Sequence, residues 1–231
     1  MSSSTAQDVV LAVNAGSSTL KFGFYGRDPA QAVFSGSIEG LEPGGTTTLR
    51  CAGQPTQAVA VGQDGPFPAA RRHLSTVIPA QASQSRLRAV AHRIVHGGDR
   101  YTRSVVVDAD VLAHLQQYAP LAPLHQPHNL AGVRALQQAF PGLPQVACFD
   151  TAFHAGMPAV ERRFALPPHD DLQGVQRYGF HGLSYQYLAT RLAQRSPAAA
   201  GRCVLAHLGN GASMCATRGG RSVATSMGFS A

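Results

Sequence analysis

The sequence predicts an α/β protein, and three observations predict it. Strand and helix signals alternate along the chain. Apolar runs of strand length end at polar, glycine-bearing turns. One pattern occurs twice: VLAVNAGSST (10–19) and VLAHLGNGAS (204–213) each leave an apolar strand, cross a Gly/Asn/Ser turn and resume as β structure. Two related halves facing each other across a cleft, with a boundary near Asp150, would produce that echo; chance would also produce it.

Taken in order, Val9–Val13 and Leu20–Tyr25 read as strands around a tight turn. Strand alternation puts Leu20, Phe22 and Phe24 toward the core and Lys21 the other way, toward the cleft. Residues 40–70, rich in Gly, Pro, Thr and Gln, read as loops and irregular β structure. The run LRAVAHRIVH, within Arg86–His96, reads as a strand. Asp108 is placed to cap a helix reaching about Tyr118, with Val111, Leu112 and Leu115 on one face. A second helix covers Leu130–Phe140 and stops at Pro141-Gly142. QVACF forms a short buried strand ending at Asp150, residues 183–195 form another helix, and RCVLAHL another strand.

Composition narrows the function classes. The 231 residues, 44% of them hydrophobic, suffice for one large domain or two modest ones. The net charge is +7, yet only 13% of residues are charged, and Arg71-Arg72 and Arg162-Arg163 are the only tight basic pairs. A nucleic-acid binder shows a basic stripe with interleaved aromatics, which is absent. A solvated basic surface, or sites for anionic ligands, accounts for the charge. The four cysteines form no Cys-x-x-Cys pair and suit reduced thiols in a cytoplasmic protein. MSSSTAQD lacks the basic flank of a signal peptide, and no segment approaches the roughly 20 apolar residues of a membrane span. The expectation is a soluble, cytoplasmic protein with neither nucleic-acid nor membrane partners.

The first turn suits phosphate. Gly16 lets the backbone turn, successive N–H groups make an anion nest, and Ser17, Ser18 and Thr19 add hydroxyls. Asn14 offers an amide oxygen to a hydrated Mg²⁺. The protein has 18 arginines and one lysine, Lys21, placed here, where a compact point charge is wanted. GxxxxGK[ST] is absent and a strand follows, so this is no Walker A loop. By itself the stretch reads equally as a polar hairpin turn. The second turn, His207-Leu208-Gly209-Asn210-Gly211, reads alone as an Asn-Gly hairpin; paired with the first, it reads as a second phosphate cradle.

Other polar sites lie between the two turns. Arg93 stands among apolar residues ahead of Gly97-Gly98, where its fork suits a carboxylate or phosphoryl group, or an internal ion pair. His92 and His96 share a face without a third metal ligand. His125 and His128 flank a proline turn and read equally as structural. Asp150 ends a strand, where clefts open in α/β folds, or caps a helix. His181 sits between an aromatic residue and a glycine, a good place for a catalytic imidazole.

Together these stretches resemble the acetate kinase family. VNAGSSTLKF, HRIVHGGDRY, LAPLHQPHNL, CFDTAFHAGMP, RYGFHGLS, and HLGNGAS followed by GGRSVATSMGF occur in family order across residues 9–229. The resemblance implies an actin-like ATPase (ribonuclease H-like) α/β fold of mixed sheets with flanking helices. It implies a domain over 1–150, on the acyl-substrate side, and the beginning of a nucleotide-binding domain over 151–231. The implied activity is reversible, Mg²⁺-dependent phosphoryl transfer from ATP to acetate. Propionate or butyrate as acceptor, or a non-catalytic phosphate-binding module, are the alternatives. Carried over, Asn14 would help hold Mg²⁺ and Lys21 would contact ATP. Arg93 would bind the carboxylate, with His125 lining the same pocket. Asp150 would be the catalytic acidic residue and His181 would stabilise the transition state. His207, Leu208, Gly209, Asn210 and Gly211 would wrap the phosphates. Because a carboxylate acceptor titrates near about 4, it needs no base at neutral pH. Asp150 is therefore expected to orient metal or Arg93 rather than abstract a proton.

The sequence departs from the family in places. Gln126-Pro127-His128-Asn129 replaces Asn-Pro-Pro-Asn, Tyr185 stands where His is usual, and Ala224 where Asp is usual. The family's SMGF motif runs on into a long second half, whereas this chain ends at Ser230-Ala231. The resemblance places in that half a transition-state arginine, a Mg²⁺-binding glutamate, the adenosine pocket, a final helix and most of a homodimer interface. Three readings follow: an acetate kinase lacking its remainder, a natural module that holds acyl or nucleoside phosphates without turnover, or an inert remnant.

Overall fold

A computed structural model describes all residues except 1–5, 17, 43, 83, 84, 168–171, 173, 210 and 231. The chain begins with strands β1 (Asp8–Ala15), β2 (Thr19–Tyr25), β3 (Ala32–Glu39), β4 (Thr48–Cys51) and β5 (Gln57–Ala58), followed by helix α1 (Pro66–Ala82). Next come β6 (Arg86–Ile94), β7 (Val105–Val106), α2 (Ala109–Gln116), α3 (Gln126–Ala139) and β8 (Gln145–Phe149). The remainder holds the short helix α4 (Ala159–Arg162), α5 (Gly182–Ala193), and strands β9 (Arg202–Leu208), β10 (Ala212–Arg218) and β11 (Arg221–Thr225). No helix among the described residues is long and apolar enough to cross a membrane.

The first eight strands form one mixed sheet in the order β5-β4-β3-β2-β1-β6-β8-β7. β1 pairs antiparallel with β2 and parallel with β6. The last three strands form an antiparallel sheet in the order β11-β10-β9. The chain divides into two compact units. One runs to Arg93 and adds Val106–Leu112 and Leu124–Ala147; the other comprises Ile94–Val105, Ala113–Pro123 and the chain from Cys148.

In the first unit the alternation along β1 and β2 works as the sequence suggests. Leu20, Phe22 and Phe24 are buried and Lys21 is exposed. Their apolar faces close on Ala70, Leu74 and Ile78, one stripe of α1 at four-residue spacing. Burying side chains of this size contributes about 1.5–3 kcal/mol each. Two elements depart from the sequence reading. Helix α1 begins inside the stretch read as loops, and β3 was not foreseen. Pro66 opens α1, a position where proline's missing N–H costs nothing, but Pro79 lies inside it. β3 lacks alternation because only Ile38 is buried. Its Gly36 lies opposite Phe22, whose ring would meet an added Cβ at 2.6 Å.

In the second unit, α5 covers one face of the three-stranded sheet, with Tyr185 packed against Leu205 and Cys215. The two recurring segments are both hairpins. Ala15 pairs with Leu20 across the first turn, and Leu208 with Ala212 across the second. All four cysteines are free thiols.

Candidate functional site

The first unit gathers three of the expected residues at one end of its sheet. Asn14 and Lys21 are register partners on β1 and β2. Arg93 stands at the end of β6, alongside β1, and its Nη1 donates to Asn14 Oδ1 at 3.1 Å. Val13 and His92 are register partners, so one residue on, Asn14 and Arg93 share the opposite face. Lys21 is exposed, and no salt bridge involves it among the described residues. Two cations and an amide thus stand together at this end of the sheet. His125 precedes α3 as its N-cap residue, and its carbonyl accepts from the Asn129 N–H at 2.9 Å. Asn129 Nδ2 in turn donates to the Ala15 carbonyl at 2.9 Å, tying the start of α3 to the end of β1. A cleft bordered by Arg93 is lined by His92 and His128, and His125 is not among its lining residues.

The second unit assembles the remaining residues. Asp150 follows β8 directly and is buried. Its N–H donates to the Ile94 carbonyl, and its own carbonyl accepts from Gly182 N–H, both at 3.0 Å. A Cβ on Gly182 would collide with that carbonyl, which explains glycine at this position. The preceding residue, His181, adopts φ 57° and ψ 19°, and is the only described non-glycine residue with positive φ. Such a backbone costs of order 1–3 kcal/mol and persists where surroundings over-determine it, commonly at functional sites.

Those surroundings are visible. His181 Nδ1 lies 2.8 Å from Ser213 Oγ, and the Tyr185 hydroxyl bonds the same Ser213. The His181 ring stacks on His207, centroids 4.0 Å apart at 24°. His207 Nδ1 lies 3.0 Å from Ser184 Oγ. An added Cβ on Gly211 would stand 3.6 Å from His181 Cε1 and Nε2, so that edge of the imidazole faces the glycine turn. If Tyr185 donates to Ser213 and Ser213 to Nδ1, the ring proton lies on Nε2, on the side of the turn. Gly209 N–H donates to the Gly211 carbonyl at 3.1 Å, and Leu208 is exposed. Asn210 lies outside the described residues, as does Ser17.

Sequence reasoning did not assign roles to Ser184, Tyr185 or Ser213. Ser213 lay within a quoted motif, and Tyr185 was visible only as a departure; its hydroxyl contact crosses 28 residues and has no local signature. Gly97 and Gly98, which suggested a ligand beside Arg93, have another cause. A Cβ on Gly97 would meet Phe149 at 2.8 Å, and one on Gly98, at φ +61°, would collide with Tyr118. His92 and His96 serve as buried structural groups: His92 Nε2 donates to Gln145 Oε1 at 2.7 Å, and His96 Nδ1 accepts from Gly98 N–H at 3.0 Å. The described residues contain no group of three His, Cys, Asp or Glu able to hold a metal. Asn14 Oδ1 already faces the Arg93 guanidinium, which would repel a cation bound at the same oxygen.

Residues 9–231 match the model of the Acetokinase family. The acetate kinase of Rhizobium meliloti is 48% identical over 95% of this chain and 57% of its own length. That of Nitrobacter hamburgensis is 44% identical over 97% of this chain and 57% of its own length. Among solved structures, a propionate kinase from Francisella tularensis superposes with TM-score 0.83 at 32% identity, covering 96% of this chain and 58% of that one. The acetate kinase of Porphyromonas gingivalis gives 0.80 at 34%, with the same coverage. The fold is thus the actin-like ATPase architecture of those kinases, and the chain spans a little over half the length of these relatives. The chain belongs to the acetokinase family.

Proposed function

We propose that the chain carries substrate and phosphate half-sites of a kinase that transfers the γ-phosphoryl group of ATP reversibly to acetate. A carboxylate oxygen bonds to the γ-phosphorus as the β–γ bridging oxygen leaves with ADP, giving acetyl phosphate. Residues 1–150 act on the acyl side and 151–231 begin the nucleotide side. Arg93 holds the acetate carboxylate, and Lys21 supplies charge to the nucleotide. The turn from His207 to Gly211 receives the phosphates, and His181 Nε2–H donates to the transferring group as charge spreads over its oxygens. Asp150 is not required as a base, because the acceptor is already ionised at neutral pH. A divalent metal, Mg²⁺ by expectation, would be held by the triphosphate's oxygens and water rather than by a cage in this chain.

The observation that carries this reading is the left-handed His181, locked by Ser213 and turned toward the glycine turn. Propionate as acceptor is a second reading, favoured by the superposition on a propionate kinase. The test traps acyl phosphate as its hydroxamate, with Mg-ATP and acetate or propionate. It uses the 231-residue chain and the same chain extended after residue 231 by the remaining segment of an acetate kinase relative. Turnover by either protein, abolished by Arg93→Ala, is the expected result. A folded extended chain that makes no acyl phosphate from any short acid would overturn the proposal.

A further inference from the structure

His154 is completely buried in the second unit, and the proposed phosphoryl transfer gives it no part. It closes the short stretch Asp150–His154 that follows β8, and both of its ring nitrogens are engaged. Nε2 lies 2.9 Å from the Phe180 carbonyl oxygen, and Nδ1 lies 2.8 Å from Ser222 Oγ. A carbonyl can only accept, so the ring proton sits on Nε2 and Nδ1 accepts from the Ser222 hydroxyl. Burial lowers the His154 pKa and so favours the neutral ring this arrangement needs; the Phe180 bond and the Asp150 charge oppose it. Ser222 stands on β11, so the sheet itself aims the imidazole.

The Phe180 carbonyl belongs to the peptide that enters His181. The peptide that leaves His181 is held as well, because Gly182 N–H donates to the Asp150 carbonyl at 3.0 Å. The φ and ψ angles of His181 lie between these two planar groups. Both groups are tied to one stretch of chain, one by its first residue and one by its last. That supplies the over-determination a left-handed non-glycine residue requires. Gly179 gives the backbone room to come so close: an added Cβ there would meet the His154 ring at 2.7 Å.

We propose that His154 is a positioning residue for His181: its Nε2–H holds the Phe180–His181 peptide and so keeps the His181 imidazole aimed at the glycine turn. The consequence for turnover rests on the role given to His181 above; the consequence for the backbone does not.

NMR of the 231-residue chain tests the backbone. In the unaltered chain, ¹⁵N shifts at pH 7 should show His154 protonated at Nε2 and bare at Nδ1; the opposite tautomer would overturn the proposal with no variant needed. A strong NOE between the N–H and Hα of His181 marks its positive φ. It should weaken in His154→Leu and return in His154→Gln, whose amide can donate where Nε2 does. A left-handed His181 that persists in His154→Leu would contradict the proposal. Kinetics of the extended chain then reads the consequence. His154→Leu should lower kcat roughly 10- to 100-fold with the ATP and acetate KM values little changed, and His154→Gln should recover most of it. Thermal unfolding establishes that each variant is folded; if His154→Leu is not, His154→Phe replaces it. An unchanged kcat in His154→Leu beside a lowered kcat in His181→Ala would overturn the proposal, as would a folded His154→Gln that restores neither readout. Full kcat in His181→Ala would overturn the catalytic reading alone, and the NMR result still decides the positioning.

Discussion

His96 Nδ1 accepts a hydrogen bond that suits the neutral imidazole, and burial pushes both His92 and His96 down to about 4. The Gln145 bond opposes this at His92, and the Asp99 charge opposes it at His96. The unfolded chain binds protons at the ordinary value near 6.5, the native chain only near 4. Between those limits the unfolded state holds more protons, so stability falls as pH drops from about 6.5 to about 4. Each residue contributes of order 3 kcal/mol to that loss. Urea unfolding at pH 7 and pH 4.5 should show it, with His92→Gln flattening part of the slope; equal stability at both pH values would contradict it. A second residue-scale expectation concerns His181. If the relay from Tyr185 through Ser213 holds its proton on Nε2, Tyr185→Phe and Ser213→Ala should each produce mixed tautomers in ¹⁵N NMR. An unchanged tautomer in both variants would show that the hydroxyl relay does not set it.

At the scale of elements, periodicity made β1, β2, α2 and β8 legible, because each buries one regular face or runs continuously through the core. Val111 N–H does donate to Asp108 Oδ1, at 2.7 Å, so the cap at the start of α2 was readable. Helix α1 was hidden by its prolines and hydroxyl residues, although Ala70, Leu74 and Ile78 carried the period. β3 was hidden because pairing on both edges holds it with little burial. The start of α3 was placed late for a similar reason: Gln126 and Asn129 are polar yet buried, and Asn129 is held by the Ala15 carbonyl from far away in the sequence. α3 also yields a prediction. Gly132 lies well inside this helix with open space around it, so Gly132→Ala should stabilise the chain by about 0.5–1 kcal/mol. A shift of the chemical-denaturation midpoint to higher urea at constant slope would show it, and a lower midpoint would mean that the space is not free.

For the whole molecule, the sequence motifs fall into two compact units, Asn14, Lys21, Arg93 and His125 in one, Asp150, His181 and His207–Gly211 in the other. That each unit carries a strand–turn–strand segment could be read in advance, from the recurrence at 10–19 and 204–213. The bonds that orient them could not, since Ser213 reaches His181 across 32 residues and Arg93 reaches Asn14 across 79. In the proposed function the two clusters do different work, carboxylate binding by Arg93 and charge stabilisation by His181. Steady-state kinetics of Arg93→Ala and His181→Ala in the extended chain, with acetate and ATP varied separately, tests this most directly. Arg93→Ala should raise the acetate KM roughly 10- to 100-fold with the ATP KM little changed. His181→Ala should lower kcat by about 10²–10³-fold with both KM values nearly intact. An Arg93→Ala enzyme with an unaltered acetate KM, or a His181→Ala enzyme with full kcat, would contradict the account.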